Sequence, residues 1–313
     1  MKILITGANG FIGSYLCNYF LQKGYDVMAA ARQFHPSAKK LLAAATQVNM
    51  DVLDTDGLNK LTIDADVIIH AATANDIISK NISAGIILSA NGTKNMLDLA
   101  VRNNIPKCII FSTLQVYGTE LQGSITEESP PLVQNDYGIN HLYAEMYGEM
   151  YSRLKKVNCV SVRPSNVYGR ILSDDFNRWS LVPGCFCKEA TEAGTITIKS
   201  SGKQMRNFVN LQNLSRGIDA IVQHFPNRYE CYNLASSQVH TMVEVAEKVK
   251  TVFERKYQKI VNLNITGTEP AMPNHFSISL DKLKKIGFTE DSDYTLETEI
   301  VEIFNYLQKQ SFT

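Results

Sequence analysis

Three glycines near the start of the chain have the spacing of a phosphate-binding turn. Gly7, Gly10 and Gly13 follow the apolar run Ile3–Ile5 and open a segment with helical periodicity. Gly7 allows a tight turn, Gly10 lets the backbone approach a pyrophosphate, and Gly13 lets the helix lie close to the strand. A helix N-terminus at this turn attracts an anion. The turn therefore predicts a dinucleotide site, although its spacing is G-x-x-G-x-x-G and not G-x-G-x-x-G. The other residues predicted at this site are Asn9, Phe11 and Ile12.

Two titratable side chains further along the chain share one face of a predicted helix. Tyr137 and His141 are four residues apart, which brings their side chains together on a helix surface. A tyrosine has a pKa of about 10 and is a poor base at neutral pH unless a cation stabilises its phenolate. An unperturbed histidine is mostly neutral at pH 7, so His141 gives little such support.

Strand and helix patterns alternate through the first half of the chain, which is typical of a parallel α/β sheet. Apolar runs predict strands over Lys2–Thr6, Asp26–Ala31, Gln47–Asp51, Val67–His70, Lys107–Ser112 and Asn158–Arg163. Helical spacing predicts helices over Phe11–Lys23, Ile86–Asn103 and Tyr137–Leu154, with a further helix start at Asp54. The predicted fold is a doubly wound parallel Rossmann-type sheet with right-handed crossovers.

The alternation of strand and helix patterns becomes less regular after Pro164. A strand over Thr195–Lys199, helices over 241–257 and Leu296–Gln310, and a loop over Pro270–Pro273 are predicted there. We predict a dinucleotide-binding domain over residues 1–165 and a smaller C-terminal substrate lobe over 166–313. Some segments of this lobe are expected to return to the sheet.

Composition narrows the function classes. The chain has 313 residues, 44% of them hydrophobic, and its 31 basic and 31 acidic residues balance. That balance argues against a nucleic-acid or membrane-surface partner. No apolar run reaches the roughly 18 residues of a membrane span, and no signal peptide is recognised, so a cytoplasmic protein is expected. The six cysteines show no metal-ligand spacing, which predicts reduced thiols and no metal.

Short motifs along nearly the whole chain resemble the extended short-chain dehydrogenase/reductase family. This family contains NAD(P)-dependent sugar-nucleotide epimerases, dehydratases and reductases. The motifs occur in family order: the glycine turn, His70–Ala72, Asn91–Asn95, Phe111–Gly118, Glu127–Pro130, Tyr137–Glu145, Arg163–Gly169 and Gly202–Asn210.

The resemblance implies catalytic roles for three residues. Tyr137 matches the family's general acid/base, and Thr113 matches the hydroxyl residue that holds the same substrate oxygen. Position 141 is His where the family has Lys. Two interpretations follow: His141 orients the nicotinamide ribose and activity survives, or the protein binds a cofactor without turnover.

The resemblance also implies cofactor contacts. NAD-specific members carry an acidic residue after the second strand, whereas this chain has Arg32, which could pair with a 2′-phosphate. NADP(H) is therefore favoured, and NAD(H) stays open. The other implied cofactor residues are Asp51 and Val52 near the adenine, Ala71, Ala72, Asn91 and Pro164, with Tyr137 and His141.

The reaction and the substrate follow from the same resemblance. Family dehydratases have Asp-Glu after the catalytic Thr, and decarboxylases usually keep the Glu, but Leu114 and Gln115 cannot transfer those protons. Keto-sugar reduction is favoured, and epimerisation is the alternative. Asn166 and Arg206 match residues that contact a sugar-nucleotide diphosphate, although Asn207 replaces the family's Asp. The resemblance further implies a homodimer formed through the helices predicted at 86–103 and 137–154.

Overall fold

The computed structural model describes residues 1–176, 178–268 and 275–310. Their strands are β1 Lys2–Thr6, β2 Asp26–Ala31, β3 Thr46–Asn49, β4 Val67–His70, β5 Lys107–Phe111, β6 Gly123–Ile125, β7 Asn158–Pro164, β8 Asn166–Tyr168, β9 Thr195–Ile198, β10 Met205–Asn210, β11 Glu230–Leu234, β12 Val239–Thr241, β13 Asn262–Ile265 and β14 Phe276–Ile278. Their helices are α1 Phe11–Gln22, α2 Pro36–Leu41, α3 Thr55–Lys60, α4 Ile82–Ile86, α5 Gly92–Arg102, α6 Asp136–Arg153, α7 Gly184–Ala193, α8 Leu211–Gln223, α9 Met242–Tyr257, α10 Asp281–Lys284 and α11 Leu296–Gln310.

A seven-stranded parallel sheet forms the centre of the molecule, in the order β11-β7-β5-β4-β1-β2-β3. The predicted Rossmann-type fold is thereby confirmed. Side chains alternate across the sheet, so Ile3 and Ile5 of β1 join the core on one face and Leu4 joins the core on the other. Because the strand order reverses between β1 and β4, the carboxyl ends of these strands frame a crevice.

The second half of the chain completes this sheet and adds smaller ones. β11 pairs with β7 at the sheet edge, and α8 packs on α1. β8, β10 and β12 form a three-stranded sheet, β9 pairs with β13, and β6 pairs with β14. A separate core lies beneath α7, α9 and α11. The predicted boundary at residue 165 falls between β7 and β8.

Several element boundaries differ from the sequence prediction. The helix predicted at 86–103 begins at Ile82 and runs through a π-helical segment, Ile87–Asn91, into α5. Asn81 caps its first turn by accepting a hydrogen bond from the backbone N of Ala84. The third strand ends at Asn49 because the Asp51 carboxylate accepts from the Leu53 N–H and starts a turn. The loop predicted over Pro270–Pro273 lies outside the described residues.

The described residues contain no helix long and apolar enough to cross a membrane. They also contain no group of three or more His, Cys, Asp or Glu side chains that could hold a metal ion. The six cysteines are free thiols, and burial raises the pKa of the Cys17 and Cys231 thiols.

Candidate active site

A cavity of about 1220 Å³ opens at the carboxyl ends of the central strands. It is bordered by the loops that follow β1, β2, β4, β5 and β7, which is where open α/β sheets bind ligands. The residues predicted to bind cofactor that line this cavity are Gly7, Asn9, Gly10, Phe11, Ile12, Gly13, Arg32, Asp51, Val52, Ala71, Ala72, Tyr137, His141 and Pro164. The predicted substrate residues Thr113, Asn166 and Arg206 line it as well.

Asn91 is the exception among the predicted site residues. It lies in the π-helical segment, is exposed to solvent, and is not among the residues that line the cavity. The neighbouring Ser89 is buried, and its hydroxyl accepts a hydrogen bond from the backbone N of Ala74, which does line the cavity. This helix therefore supports the cavity wall through Ser89.

The glycine turn and the start of α1 lie so close together that a side chain at Gly13 would clash. Gly7 has φ of +73°, and its carbonyl accepts a hydrogen bond of 2.7 Å from the Gly10 N–H. A Cβ at Gly13 would lie 2.2 Å from the Gly7 oxygen, inside any van der Waals contact. α1 begins at Phe11 with no side-chain cap, which leaves the N–H groups of its first turn for an anion.

Two buried polar atoms that line the cavity near the glycine turn and Tyr137 lack hydrogen-bond partners among the described residues. The Asn9 amide nitrogen donates to the Gln33 carbonyl, but its Oδ1 has no hydrogen-bond partner among the described residues. The same is true of His141 Nε2. Buried polar atoms normally have a partner, so both atoms fit contacts with a bound ligand. The uncapped helix, the glycine turn and these two atoms suit a dinucleotide.

Thr113 and Tyr137 meet at the ends of two elements. Thr113 follows β5 and caps a short 3₁₀ turn, Leu114–Tyr117, while Tyr137 lies in the first turn of α6. Burial raises the pKa of Tyr137, and the nearby Asp76 carboxylate adds to the rise. A hydrogen bond with Thr113 and the charge of Arg178 oppose it. Tyr137 is therefore a protonated hydroxyl at neutral pH.

His141 packs beside Tyr137, with 4.6 Å between the ring centroids. Its Nδ1 lies 3.0 Å from the Phe111 carbonyl oxygen, and this contact assigns the proton to Nδ1. Nε2 is then the unprotonated nitrogen. Burial lowers the pKa of His141 below its ordinary value, and the backbone of Phe111, the Glu145 carboxylate and the backbone of Ala74 offset this only in part. His141 is consequently a neutral ring and not a substitute cation.

A pair of amides connects the 3₁₀ turn after β5 to α6. The Asn135 side chain caps α6 by accepting from the Gly138 N–H at 2.8 Å. Its amide nitrogen donates to Gln115 Oε1 at 2.9 Å. Gln115 lies in the 3₁₀ turn that Thr113 caps, so this pair fixes Thr113 relative to Tyr137.

A buried ion pair lies behind the site and joins α6 to the sheet. Arg163 of β7 makes two hydrogen bonds to the Glu145 carboxylate, at 2.8 and 2.6 Å, and donates a third to the Tyr117 hydroxyl. Ser112 donates to the same carboxylate at 2.5 Å. Both charged side chains are more than nine-tenths buried. Because Ser112 precedes Thr113, this network holds the chain that follows β5 against α6.

The predicted diphosphate residues lie on the three-stranded sheet. Asn166 donates to the Asn207 carbonyl at 2.8 Å, which aligns β8 with β10. Arg206 is half-buried and forms no ion pair within the described residues. Asn207, which replaces the family's Asp, donates to the carbonyls of Ser236 and Gln238. A carboxylate could not donate these bonds, so the substitution fits this loop.

Sequence reasoning missed two charged residues that line the cavity. Asp76 and Arg178 form an ion pair of 2.8 Å although 102 residues separate them. Both lie outside regular helices and strands, where no periodic pattern marks a residue. Their charges act on the pKa of the Tyr137 hydroxyl, so the pair lies near Tyr137 in the cavity.

Comparison with known proteins identifies the class. The sequence profile of the NAD-dependent epimerase/dehydratase family matches residues 3–235, and the chain belongs to this family of enzymes. A dTDP-4-dehydro-6-deoxy-D-allose reductase of a Streptomyces species is 27% identical over 268 residues, 81% of each chain. UDP-glucuronic acid decarboxylase 6 of Arabidopsis thaliana is 27% identical over 294 residues, 91% of this chain and 83% of that protein.

A solved structure shares the whole fold. The UDP-glucuronic acid 4-epimerase of Bacillus cereus, crystallised with UDP-glucuronic acid and NAD, superposes with a TM-score of 0.83. The match covers 99% of this chain and 100% of the epimerase, at 24% identity. The resemblance to extended short-chain dehydrogenases/reductases is thereby confirmed.

Proposed function

We propose that this protein uses NADP(H) to reduce a keto group on a nucleotide-activated sugar. The observation that carries the proposal is the contact between Tyr137 and His141, whose ring centroids lie 4.6 Å apart. His141 is buried and Tyr137 is half-buried, and this burial favours a protonated Tyr137 and a neutral His141. A protonated tyrosine can donate to an oxygen that gains negative charge, as a carbonyl oxygen does during reduction.

The reverse direction fits this pair poorly. Oxidation of a sugar hydroxyl needs a base, and the Tyr137 phenolate is costly to form because burial and the Asp76 carboxylate outweigh the opposing effects of Thr113 and Arg178. An epimerase must oxidise its substrate before reducing it. The replacement of the family Lys by a neutral His141 therefore favours reduction over epimerisation.

The cofactor proposal rests on the glycine turn and on Arg32. The N-terminus of α1 would hold the pyrophosphate, and His141 Nε2 would accept a hydrogen bond from a ribose hydroxyl. Arg32 follows β2, is exposed at the cavity and would pair with a 2′-phosphate. When bound, the nicotinamide supplies the hydride. Asp51 and Val52 would lie along the adenosine, with Ala71, Ala72 and Pro164 on the nicotinamide side.

The substrate proposal places Thr113 and Tyr137 on the carbonyl oxygen and Arg206 with Asn166 on the diphosphate. Elimination of water is disfavoured because Leu114 is buried and apolar and Gln115 is engaged with Asn135. The Streptomyces relative is named as a reductase of a dTDP-activated dehydro sugar, which supports this reaction class.

Two other functions compete with this one. The Bacillus cereus fold neighbour is a 4-epimerase crystallised with NAD, which favours epimerisation on a retained NAD. The loss of the family Lys favours a protein that binds cofactor without turnover. The test is to mix the purified protein with a dTDP-activated 4-keto sugar and NADPH or NADH, and to follow cofactor oxidation.

Each function gives a different result. A reductase oxidises NADPH, and Tyr137→Phe stops this reaction. Arg32→Ser weakens the binding of NADPH but not that of NADH. An epimerase retains NAD through purification and interconverts two sugar nucleotides without consuming reductant. A binding protein gives neither reaction while still binding the cofactor.

We also propose a homodimer in the cytoplasm. Exposed apolar side chains lie on the two helices that the family resemblance implies at the interface. They are Ile82 and Ile87 before α5, Val101 on α5, and Met146 and Met150 on α6. Sedimentation of the wild type beside a Met146→Glu variant tests this assembly.

A further inference from the structure

The ion pair between Asp76 and Arg178 leaves hydrogen-bonding capacity near Tyr137 in the cavity. Arg178 Nη2 donates to Asp76 Oδ1 at 2.8 Å, while its Nη1 is buried with no partner in the part of the chain that the structure describes. The Arg178 side chain is 19% exposed and the Asp76 side chain 54%. One free donor group and one accessible carboxylate thus lie side by side.

The charges of this pair cancel. A guanidinium that already serves one carboxylate has little net attraction for a second, because the two anions would repel each other across it. Sugar hydroxyls behave differently, since one oxygen can accept from Nη1 while a neighbouring hydroxyl donates to Asp76. The pair is matched to adjacent hydroxyls of an uncharged sugar.

We infer that Asp76 and Arg178 determine sugar specificity, holding vicinal oxygens of a neutral sugar and rejecting a uronic acid. This inference rests on the proposed sugar-nucleotide function and specifies its substrate class. Two properties of the enzyme are then set by different residues. Leu114 and Gln115 disfavour an elimination reaction, and the ion pair of Arg178 disfavours a carboxylated sugar as substrate.

The test measures binding by calorimetry to protein saturated with NADP⁺. The probes are UDP-glucose, UDP-glucuronic acid and UDP, with dTDP-glucose, dTDP-glucuronic acid and dTDP replacing all three if uridine nucleotides do not bind. Wild type is expected to bind the neutral sugar nucleotide about 10-fold or more tighter than the uronate. Arg178→Met is expected to weaken binding of the neutral sugar nucleotide about 10-fold to 100-fold, because hydrogen bonds to a charged group are lost. The affinity for the nucleoside diphosphate should stay unchanged.

Asp76→Asn is the second variant. It frees the guanidinium from its carboxylate, so the uronate is expected to gain affinity while the neutral sugar loses it. Arg178→Lys keeps the ion pair and the fold but removes the second donor nitrogen, and should weaken the neutral sugar nearly as much as Arg178→Met. Equal melting temperatures show that the variants are folded.

Wild type that prefers the uronate, or an Arg178→Lys variant that binds the neutral sugar as tightly as wild type, would overturn the inference. Failure of both diphosphates to bind wild type would instead overturn the proposed sugar-nucleotide function. The two failures are therefore distinguishable.

Discussion

Tyr137 and His141 form the proposed catalytic pair, and their charge state bears on which direction of proton transfer the site favours. Burial raises the pKa of the phenol and lowers the pKa of the imidazole. In the family pattern a Lys at position 141 would favour the phenolate. Here the neutral ring leaves Tyr137 as a proton donor whose service as a base requires alkaline pH.

A lysine at position 141 should restore the base. We expect His141→Lys to move the pH profile of alcohol oxidation downward by about 1–3 pH units, because an adjacent positive charge stabilises the phenolate. His141→Gln, which keeps a neutral side chain, is the matched control and should retain the wild-type profile. Steady-state oxidation rates across the pH range check this. Superimposable profiles for His141→Lys and wild type would contradict it.

The residue chemistry was predictable where motifs are local. The glycine turn and the Tyr137–His141 spacing lie within short segments, and the structure brings them to one cavity. The Asp76–Arg178 pair was not predictable, because two irregular loops that are distant in sequence create it. Asn91 was assigned from a motif alone, and the structure places it outside the cavity wall.

α1 can lie close to β1 only because Gly13 has no side chain. We expect Gly13→Ala to lower the free energy of unfolding by about 1–3 kcal/mol and to weaken cofactor binding, since the new Cβ would overlap the Gly7 carbonyl. Gly184→Ala is the matched control, because its Cβ would meet only the Trp179 ring at 3.8 Å. Thermal melts and NADPH fluorescence titrations compare the two. Equal cofactor affinities would show that the close approach is dispensable.

α6 depends on Asn135 both for its cap and for its distance from Thr113. Asn135→Ala should cost about 1 kcal/mol of stability through the lost cap, and should lower kcat about 10-fold to 100-fold through misplacement of Tyr137. Asp54→Ala removes the cap of α3, far from Tyr137, and should cost similar stability with kcat unchanged. The comparison requires melts and initial rates for both variants. Equal kcat values would argue against the positioning role.

Element prediction succeeded where periodicity was strong and failed where polar capping set the boundary. Six of the seven strands of the central sheet and the helix of Tyr137 were predicted from apolar patterns, whereas β11 was not predicted. The extension of the α4–α5 helix back to Ile82 depends on the Asn81 cap and continues through a π-helical segment that no apolar spacing marks. β8 and β12 have three residues each, and β10, with which both pair, lies far from them along the chain.

The two halves of the molecule are joined by polar contacts as well as by the shared sheet. The Tyr15 hydroxyl on α1 donates to Gln212 on α8, and the Tyr19 and Tyr25 hydroxyls donate to Asp219. The molecule is therefore expected to unfold as one cooperative unit.

Glu299 makes the stability of the whole molecule depend on pH. Burial raises its pKa from 4.5 to about 7, so between these values the folded state binds more protons than the unfolded state. Stability should therefore fall as pH rises through this window, by roughly 3 kcal/mol. Glu299→Gln should remove this loss and stabilise the protein more at pH 8 than at pH 5. Urea unfolding at both values checks it, and a pH-independent difference would contradict it.

The late return of β11 to the sheet has a consequence during synthesis on the ribosome. β7 is complete at Pro164, but the strand that covers its edge begins only at Glu230. Until then the nascent chain presents an unpaired apolar strand edge, the kind of surface on which chains aggregate. We expect chaperones to occupy this edge while the intervening segment is translated.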